Sequence, residues 1–188
     1  MNYYSVLLLG NSYIALKENN NYYQLYLDKK IYNNGLIINN EGFIKYYIKF
    51  IQTKKLSKFL WKKKIKIIYN SLYHQNDIVN LYNIFKDLNY KSVQPISEKQ
   101  ILNLNQKTCY LLVDNILRLF YIDKNNTKKV LVLDRELFYA HEIRLLISNR
   151  VKKKTLYIIG KLPQNYLFEN LNYYYYESFD EFFLKNIL

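Results

Sequence analysis

The residue types that most often perform catalysis or bind metals are few in this sequence and lie far apart. The chain has two histidines, His74 and His141, and one cysteine, Cys109. Neither histidine has the spacing of a metal-binding motif, and a single cysteine cannot complete a zinc site with them. Cys109 begins an apolar run, which is typical of a small core residue. We therefore expect structural roles for all three residues, no catalytic group among them and no bound metal.

Three carboxylates, Asp114, Asp123 and Asp134, are candidate metal ligands, because two-metal nucleases bind their ions with acidic side chains. Asp114 ends an apolar run and could face a cleft. Asp123 and Asp134 occupy positions typical of a turn residue and a helix cap. No acidic residue occurs between Met1 and Lys17, where the first strand of such a nuclease supplies a ligand. The sequence therefore argues against a nuclease.

Lysines are concentrated in one short stretch. Seven occur within the thirteen residues 54–66: Lys54, Lys55, Lys58, Lys62, Lys63, Lys64 and Lys66. This basic patch could bind anionic lipid headgroups or the phosphates of a nucleic acid. The alternative is a solvated helix end and loop, because Lys outnumbers Arg 24 to 4 in the chain and Asn, Lys, Tyr, Ile, Phe and Met supply just over half of it. Those residues have A/T-rich codons, so the net charge of +13 does not by itself identify a partner.

The composition limits the class of protein that these residues belong to. A chain of 188 residues that is 50% hydrophobic can form one domain or two small lobes. Four glycines and two prolines exclude collagen-like and linker-rich architectures. There is no apolar run long enough for a membrane span, and the N-terminus lacks the features of a secretory signal. We expect a cytoplasmic protein, with a peripheral position at the inner face of the membrane as a further option.

The same order of elements is predicted twice. In the first half we expect three strands at residues 4–9, 13–17 and 22–27, a helix at 41–61, a strand at 65–69, a helix at 77–89 and an extended segment at 92–97. The apolar stripe of the first helix is predicted at Ile44, Tyr47, Ile48 and Ile51, and Asp77 is expected near the N-terminus of the second. In the second half we expect three strands at 108–113, 116–122 and 129–133, a helix at 134–149, a strand at 156–159 and a closing helix at 177–188. The apolar surface of the helix at 134–149 is predicted at Leu137, His141, Leu145, Ile143 and Leu146. Tyr173–Tyr176 reads as a further strand whose rings pack on both faces. This order predicts an α/β protein with two lobes, at residues 1–104 and 105–188.

Six segments, taken in order, resemble the bacterial actin family, most closely its MreB branch, with the FtsA and PilM types as relatives. They are residues 6–16 at the first phosphate hairpin, 34–37 before the first long helix, the strands 64–70, 110–114 and 157–160, and the closing segment 178–188. The resemblance implies two ribonuclease H-like lobes with mixed sheets and helices, as in the core of actin-like ATPases. Members of the family are nearly twice as long, so it also implies that the two inserted subdomains are lacking.

The resemblance places a nucleotide cleft at Gly10, Asn11, Ser12, Asp114, Asn115 and Gly160. Phosphate hairpins need glycine because only a backbone without side chains brings its N–H groups close to phosphate. Here Leu8 stands where the family has a metal-associated aspartate, and leucine offers no oxygen ligand to Mg²⁺. Residues 115–117 replace the glycines of the second hairpin, and Gly160 alone remains of the adenosine turn. We therefore expect the nucleotide site to be degenerate, with no cofactor.

Three functions remain open from the sequence. The first is a non-catalytic actin-like scaffold or adaptor that acts through protein–protein contacts in a bacterial envelope, shape or division assembly, with self-association as a further option. The second is a basic nucleic-acid-binding module that uses the lysines and exposed tyrosines. The third is an actin-like protein that retains ATP binding.

Overall fold

The computed structural model of the chain describes residues 4–10, 12–18, 21–56, 63–114, 116–134, 138–161, 168 and 171–185. These residues divide into two compact units, Met1–Ile101 and Leu102–Leu188. Among the described residues, no helix has both the length and the apolarity that crossing a membrane requires. Each unit contains one five-stranded mixed sheet with helices.

The first unit begins with the predicted meander. Its strands are β1 Tyr4–Leu9, β2 Tyr13–Glu18, β3 Asn21–Tyr26, β4 Tyr32–Asn33, β5 Leu36–Ile37, β6 Lys64–Tyr69 and β7 Ser92–Ser97. Its helices are α1 Asn40–Thr53, α2 Gln75–Asp87 and α3 Glu98–Ile101. The sheet has the order β3-β2-β1-β6-β7, with antiparallel pairing among the first three strands and parallel pairing of β1, β6 and β7. β4 and β5 form a separate hairpin.

The core of the first unit is aromatic. Alternate residues of β1, β2 and β6 face α1 and α2, and the helices supply rings to this layer. Phe85 of α2 packs edge-on against Tyr47 at 5.4 Å between ring centroids, and Tyr47 stacks on Phe43 at 6.0 Å. The hydroxyls of Tyr47 and Tyr90 lie 2.7 Å apart and share a buried hydrogen bond. Burial raises the pKa of Tyr90 to about 12 and raises that of Tyr47 as well.

Helix α1 is shorter than the sequence predicts. It begins where the Asn39 side chain accepts a hydrogen bond from the Gly42 N–H at 2.9 Å, and it ends at Thr53. Lys55 has a left-handed conformation, with φ +53°, and the Leu56 N–H returns to the Ile51 carbonyl oxygen at 2.9 Å. This closing turn stops the helix, and residues 57–61 of the predicted helix lie outside the described residues.

The buried stripe of α1 also differs from the prediction. Phe43, Tyr47, Phe50 and Ile51 are buried, whereas Ile48 is exposed. The buried stripe is centred on Phe43, Tyr47 and Phe50, and Ile48 lies further round the helix from it than Ile51 does, so its side chain faces solvent.

Helix α2 starts earlier than predicted. His74 is its N-cap, and Asp77 lies in the first turn, where its carboxylate accepts a hydrogen bond from the His74 N–H at 2.8 Å. Asp77 therefore interacts with the free N–H groups at the helix N-terminus as predicted, although the helix begins two residues before it. The C-terminus closes as in α1, with Asn89 at φ +62° and the Tyr90 N–H bonded to the Phe85 carbonyl oxygen.

The second unit repeats the sheet order of the first. Its strands are β8 Thr108–Val113, β9 Ile116–Ile122, β10 Lys128–Asp134, β11 Thr155–Ile159 and β12 Tyr173–Tyr176, and its helices are α4 Ala140–Val151 and α5 Phe179–Lys185. The sheet has the order β10-β9-β8-β11-β12, and it is again antiparallel on one side and parallel on the other. The core on the α4 side is mainly aliphatic, with Ile143, Ile147 and Val151 contributed by the helix.

Two predictions about the helix of this unit are wrong. Asp134 does not cap a helix but ends β10, where it pairs with Ile116. The helix begins six residues later, and Leu145, predicted on its apolar face, is 61% exposed. Ile147 and Val151 form the buried stripe together with Ile143, because they lie one helical turn apart. Asp123 is a turn residue as predicted, with Oδ1 accepting from the N–H groups of Asn125 and Thr127.

The C-terminal elements follow the prediction in type but differ in detail. The closing helix is observed at Phe179–Lys185, and residues 186–188 lie outside the described part. Strand β12 lies at the edge of the sheet, beside β11. The edge position agrees with the predicted packing at a sheet edge, whereas all four tyrosines are exposed, by 41–54%, so none of them is buried in the core.

Candidate functional site

The turn after β1 is the first candidate phosphate hairpin, and tyrosine side chains occupy its surroundings. A methyl group placed on Gly10 would lie 2.8 Å from Cζ of Tyr13, so the ring covers the open side of the glycine. The Tyr32 hydroxyl donates a buried hydrogen bond to the Gly10 carbonyl oxygen. Leu8, at the position where the resemblance expects an aspartate, is fully buried. This turn therefore presents an aromatic ring where a phosphate-binding glycine presents bare backbone.

A second set of contacts closes the same end of the sheet. Asn70, which follows β6, is 1% exposed, and its Nδ2 donates to the Asn34 carbonyl oxygen at 2.9 Å. Its Oδ1 accepts from the Leu72 N–H at 2.9 Å. Gly35, at φ +80°, brings the hairpin so close that a side chain at this position would collide with Asn70. Asn70 thus joins the β4–β5 hairpin to the turn after β6.

The turn after β8 is the second candidate hairpin, and its carboxylate is already engaged. Asp114 Oδ1 accepts from the Ile116 N–H at 2.9 Å, and Oδ2 accepts from Nη2 of Arg118 at 2.8 Å. The Arg118 side chain is 1% exposed, whereas that of Asp114 is 18% exposed. A buried guanidinium needs an anion beside it, so Asp114 serves as the counter-ion of Arg118.

Gly160 follows β11 and lies against the end of β8. Its φ is +107°, and a methyl group placed on it would lie 2.0 Å from the Val113 carbonyl oxygen. Its N–H donates to the Tyr176 carbonyl oxygen at 2.8 Å. This glycine is required by the contact between two strand ends within the second unit.

The predicted cleft residues are thus placed in three turns. Gly10 lies in the turn after β1, Asp114 in the turn after β8 and Gly160 in the turn after β11. Ser12 is exposed, and its carbonyl oxygen accepts from the Leu27 N–H at 3.2 Å. Asn11 and Asn115 lie outside the described residues.

The predicted basic patch is divided between different places. Lys54 and Lys55 are exposed at the end of α1, while Lys58 and Lys62 lie outside the described residues. Lys63 forms an ion pair with Glu18. Lys64 and Lys66 belong to β6, and their ammonium groups lie 5.3 and 5.1 Å from the centroid of the Tyr4 ring. The two strand lysines alternate with Ile65 and Ile67, which pack towards α1 and α2, so they lie on the opposite face of the sheet from these helices.

The two histidines and the cysteine belong to different elements of the fold. His74 caps α2, and His141 stacks on Tyr139 at 5.9 Å in α4. Cys109 is buried in β8, and burial raises the pKa of its thiol to about 11, which disfavours the reactive thiolate. Within the described part of the chain, no group of three or more His, Cys, Asp or Glu side chains could hold a metal ion.

Sequence reasoning missed the side chains that fill the two turns. Arg118 carried a usable signal, since it is the only charged residue of β9 and follows Asp114 by four positions. Tyr13 also lies close to Gly10 in the chain. Tyr32 gave no local signal, because 22 residues separate it from the carbonyl group that it binds.

Similarity to known proteins is found in structure and not in sequence. No protein-family model matches the chain, and no curated protein matches its sequence significantly. The crystal structure of MreB 5 of Spiroplasma citri bound to AMPPNP superposes with a TM-score of 0.63 at 11% identity, covering 97% of this chain and 94% of that one. The ethanolamine utilization protein EutJ from Carboxydothermus hydrogenoformans superposes with a TM-score of 0.68 at 8% identity, covering 98% and 88%.

The chain has the actin-like fold. The same strand order is observed in both units, as the prediction of two ribonuclease H-like lobes requires. The inserted subdomains are lacking, as predicted. Between β3 and α1 this actin-like chain has only the short β4–β5 hairpin, and between β10 and α4 only residues 135–139.

Proposed function

We propose that the protein is a non-catalytic scaffold or adaptor with an actin-like fold, which acts through protein–protein contacts in a bacterial envelope, shape or division assembly. The observation that carries this proposal is the state of the two candidate phosphate turns. In the first, Tyr13 covers Gly10. In the second, Asp114 is the counter-ion of buried Arg118. Both sheets are retained, while side chains of the protein itself occupy the two candidate phosphate turns. Such a fold still offers surfaces for binding other proteins. We place it in the cytoplasm, at or near the inner face of the membrane.

A residual ATP-binding protein is the second candidate, because one of the two matched structures contains AMPPNP. Titration with Mg-ATP and Mg-AMPPNP, followed by thermal unfolding, decides between the two. A ligand at one hundred times its dissociation constant would stabilise the folded state by about 2.7 kcal/mol. We expect no such stabilisation at millimolar nucleotide, and no hydrolysis.

The titration needs a control for surface binding, because a chain of net charge +13 attracts any polyanion. Inorganic tripolyphosphate carries the charge of ATP without the nucleoside. Stabilisation by ATP that exceeds that by tripolyphosphate would contradict the proposal and favour residual nucleotide binding. Equal small effects would indicate charge attraction alone.

Complementation tests the biological part of the proposal. The double variant Asp114→Asn/Arg118→Met keeps a side-chain oxygen for the Ile116 N–H and removes the carboxylate of the second candidate phosphate turn without leaving a buried guanidinium unpaired. We expect this variant to restore normal cell shape and division to a host that lacks the gene. If the folded double variant fails to do so, the carboxylate has a role that a scaffold does not require. If loss of the gene leaves envelope, shape and division unchanged, the assignment to such an assembly is wrong.

A further inference from the structure

The face of the first sheet that points away from α1 and α2 carries a group of lysines and rings. The strand register places the side chains of Tyr22, Lys17, Val6, Lys66 and Gln94 in one row across all five strands. Tyr4 and Lys64 form the next row towards the amino ends of β1 and β6. We call this group the lysine face, and its members are Tyr4, Lys17, Tyr22, Lys64, Lys66 and Gln94.

The charge of the lysine face has one sign. The described strand residues on this side of the sheet include three lysines and no carboxylate. Lys17 and Lys66 are separated by β1, which places their strands about 10 Å apart. Lys64 and Lys66 are both held over the Tyr4 ring, so their positions are restricted before any partner arrives. This arrangement suits a partner that carries regularly repeated negative charge.

The rings and amides narrow the class of partner. Tyr22 is 44% exposed and lies opposite Lys17, and Tyr26, further along β3 on the same side, is 69% exposed. Gln24 lies between them, and both it and Gln94 are exposed. Exposed rings beside half-buried lysines on one side of a sheet can stack unpaired bases while the lysine ammonium groups bind phosphates. An acidic peptide would use the lysines but has no base to stack on the rings.

We propose that the lysine face binds single-stranded nucleic acid. The phosphates contact Lys17, Lys64 and Lys66, and bases stack on Tyr22 and Tyr26 along the outer strand β3. A duplex is a poorer ligand because its bases are already stacked. The lysines and Tyr22 lie towards the amino end of β1 and β6, whereas Tyr26 pairs with Tyr13 near the carboxyl end of β1, and their ring centroids lie 5.5 Å apart. The inference does not require nucleotide binding at the phosphate turns.

The lysine contribution can be tested with two matched double variants and a fluorescein-labelled single-stranded 12-mer, followed by fluorescence anisotropy. Lys17→Gln/Lys66→Gln alters the lysine face. Lys45→Gln/Lys49→Gln removes the same charge from exposed positions of α1, which packs on the other side of the sheet. We expect the first variant to weaken binding at least tenfold and to lower the slope of log K against log salt by about 1.4. Equal losses in the two variants would overturn the proposal.

The ring contribution is tested by Tyr22→Ala, with Tyr22→Phe as its control. Loss of one stacked base weakens binding about tenfold, whereas phenylalanine keeps the stacking surface and the affinity. Circular dichroism establishes that each variant is folded. Unchanged binding by folded Tyr22→Ala would overturn the proposal, because the lysine face would then be a general polyanion surface.

Competition identifies the class of ligand. Unlabelled single strands should displace the probe at lower nucleotide concentration than a duplex of the same sequence. Poly-glutamate and vesicles containing phosphatidylserine should displace it poorly. A duplex, the acidic polymer or the vesicles competing as well as the single strand would each contradict the proposal.

Discussion

The two lobes have the same strand order but close the turn after their first strand with different chemistry. In the first lobe, the β1–β2 turn is covered by the ring of Tyr13 and tied by the hydroxyl of Tyr32. In the second, the β8–β9 turn is held by the ion pair between Asp114 and Arg118. The topology fixes where the turn lies, and quite different side chains can fill it.

The cores show the same contrast. The first lobe packs rings from both helices against its sheet, while the α4 side of the second lobe is mainly aliphatic. Rings bury more area per residue and interact in defined edge and face geometries. The same strand order is therefore packed with rings in one lobe and with aliphatic side chains in the other. Substitutions in each lobe measure how much these side chains contribute to the free energy of unfolding.

The largest effect is expected from the aromatic core. Phe85→Ala removes a fully buried ring that contacts Phe43, Tyr47 and Tyr90. We expect the free energy of unfolding to fall by about 4 kcal/mol, measured by urea denaturation. Tyr82→Ala, on the exposed side of the same helix, should cost less than about 1 kcal/mol. Similar losses for both variants would show that the rings of α2 do not form the core of the first lobe.

The ion pair of the second lobe should rank next. Asp114→Ala leaves the guanidinium of Arg118 buried without its counter-ion, and we expect a loss of about 3 kcal/mol in the free energy of unfolding. The double variant Asp114→Ala/Arg118→Met should recover most of that loss because it removes the buried charge. By contrast, Glu18→Gln breaks a more exposed pair with Lys63 and should cost under about 1 kcal/mol. A double variant as unstable as Asp114→Ala would mean that the loss has another cause.

Replacing Gly160 by alanine is expected to lower the free energy of unfolding more than replacing Gly10, because Gly160 lies against backbone and Gly10 lies against a side chain. Gly160→Ala combines a left-handed backbone with a collision against the Val113 carbonyl oxygen, and should cost about 3 kcal/mol. Gly10→Ala meets only the ring of Tyr13, which can move, and should cost about 1 kcal/mol. Thermal unfolding of the two variants measures the difference. The reverse order would show that the first turn is the more rigid one.

The smallest effect concerns alkaline pH and the first lobe. Because burial raises the pKa of Tyr90 from its ordinary value near 10 to about 12, the neutral phenol is favoured by folding. Its contribution to stability is complete below pH 10 and is lost as the pH rises from 10 to 12. Tyr90→Phe should therefore show a shallower decline of stability over that interval than the wild type. Parallel declines would indicate that Tyr90 does not ionise differently in the folded and unfolded states.

The fold was largely predictable because the strands have strong local signals. The apolar runs at Tyr4–Leu9 and Thr108–Val113 end at polar turns, and the repeated order of elements pointed to two similar lobes. Helix boundaries were predicted less well. The end of α1 depends on Lys55 adopting a left-handed conformation that lysine does not signal, and Asp134 looked like a cap although it completes β10.

The candidate site was predictable only in part. Gly10, Asp114 and Gly160 could be placed from the sequence because each follows an apolar strand. The groups that surround them could not, since they come from elsewhere in the chain or from strand register. Lys17 and Lys66 are 49 positions apart and share a row only because both flank Val6. The spacing of residues in the sequence does not predict which side chains become neighbours through strand pairing.

The hydrogen bond between the Tyr32 hydroxyl and the Gly10 carbonyl oxygen bears on how assembly of the protein could be regulated. A molecular switch that reports the hydrolysis of a nucleotide needs a loop that shifts when the terminal phosphate leaves. In this protein the Tyr32 hydroxyl holds the corresponding loop through a hydrogen bond to the Gly10 carbonyl oxygen. On the scaffold hypothesis, this loop does not respond to nucleotide hydrolysis. The amount of assembled complex is then set by synthesis, dilution and degradation of the chain.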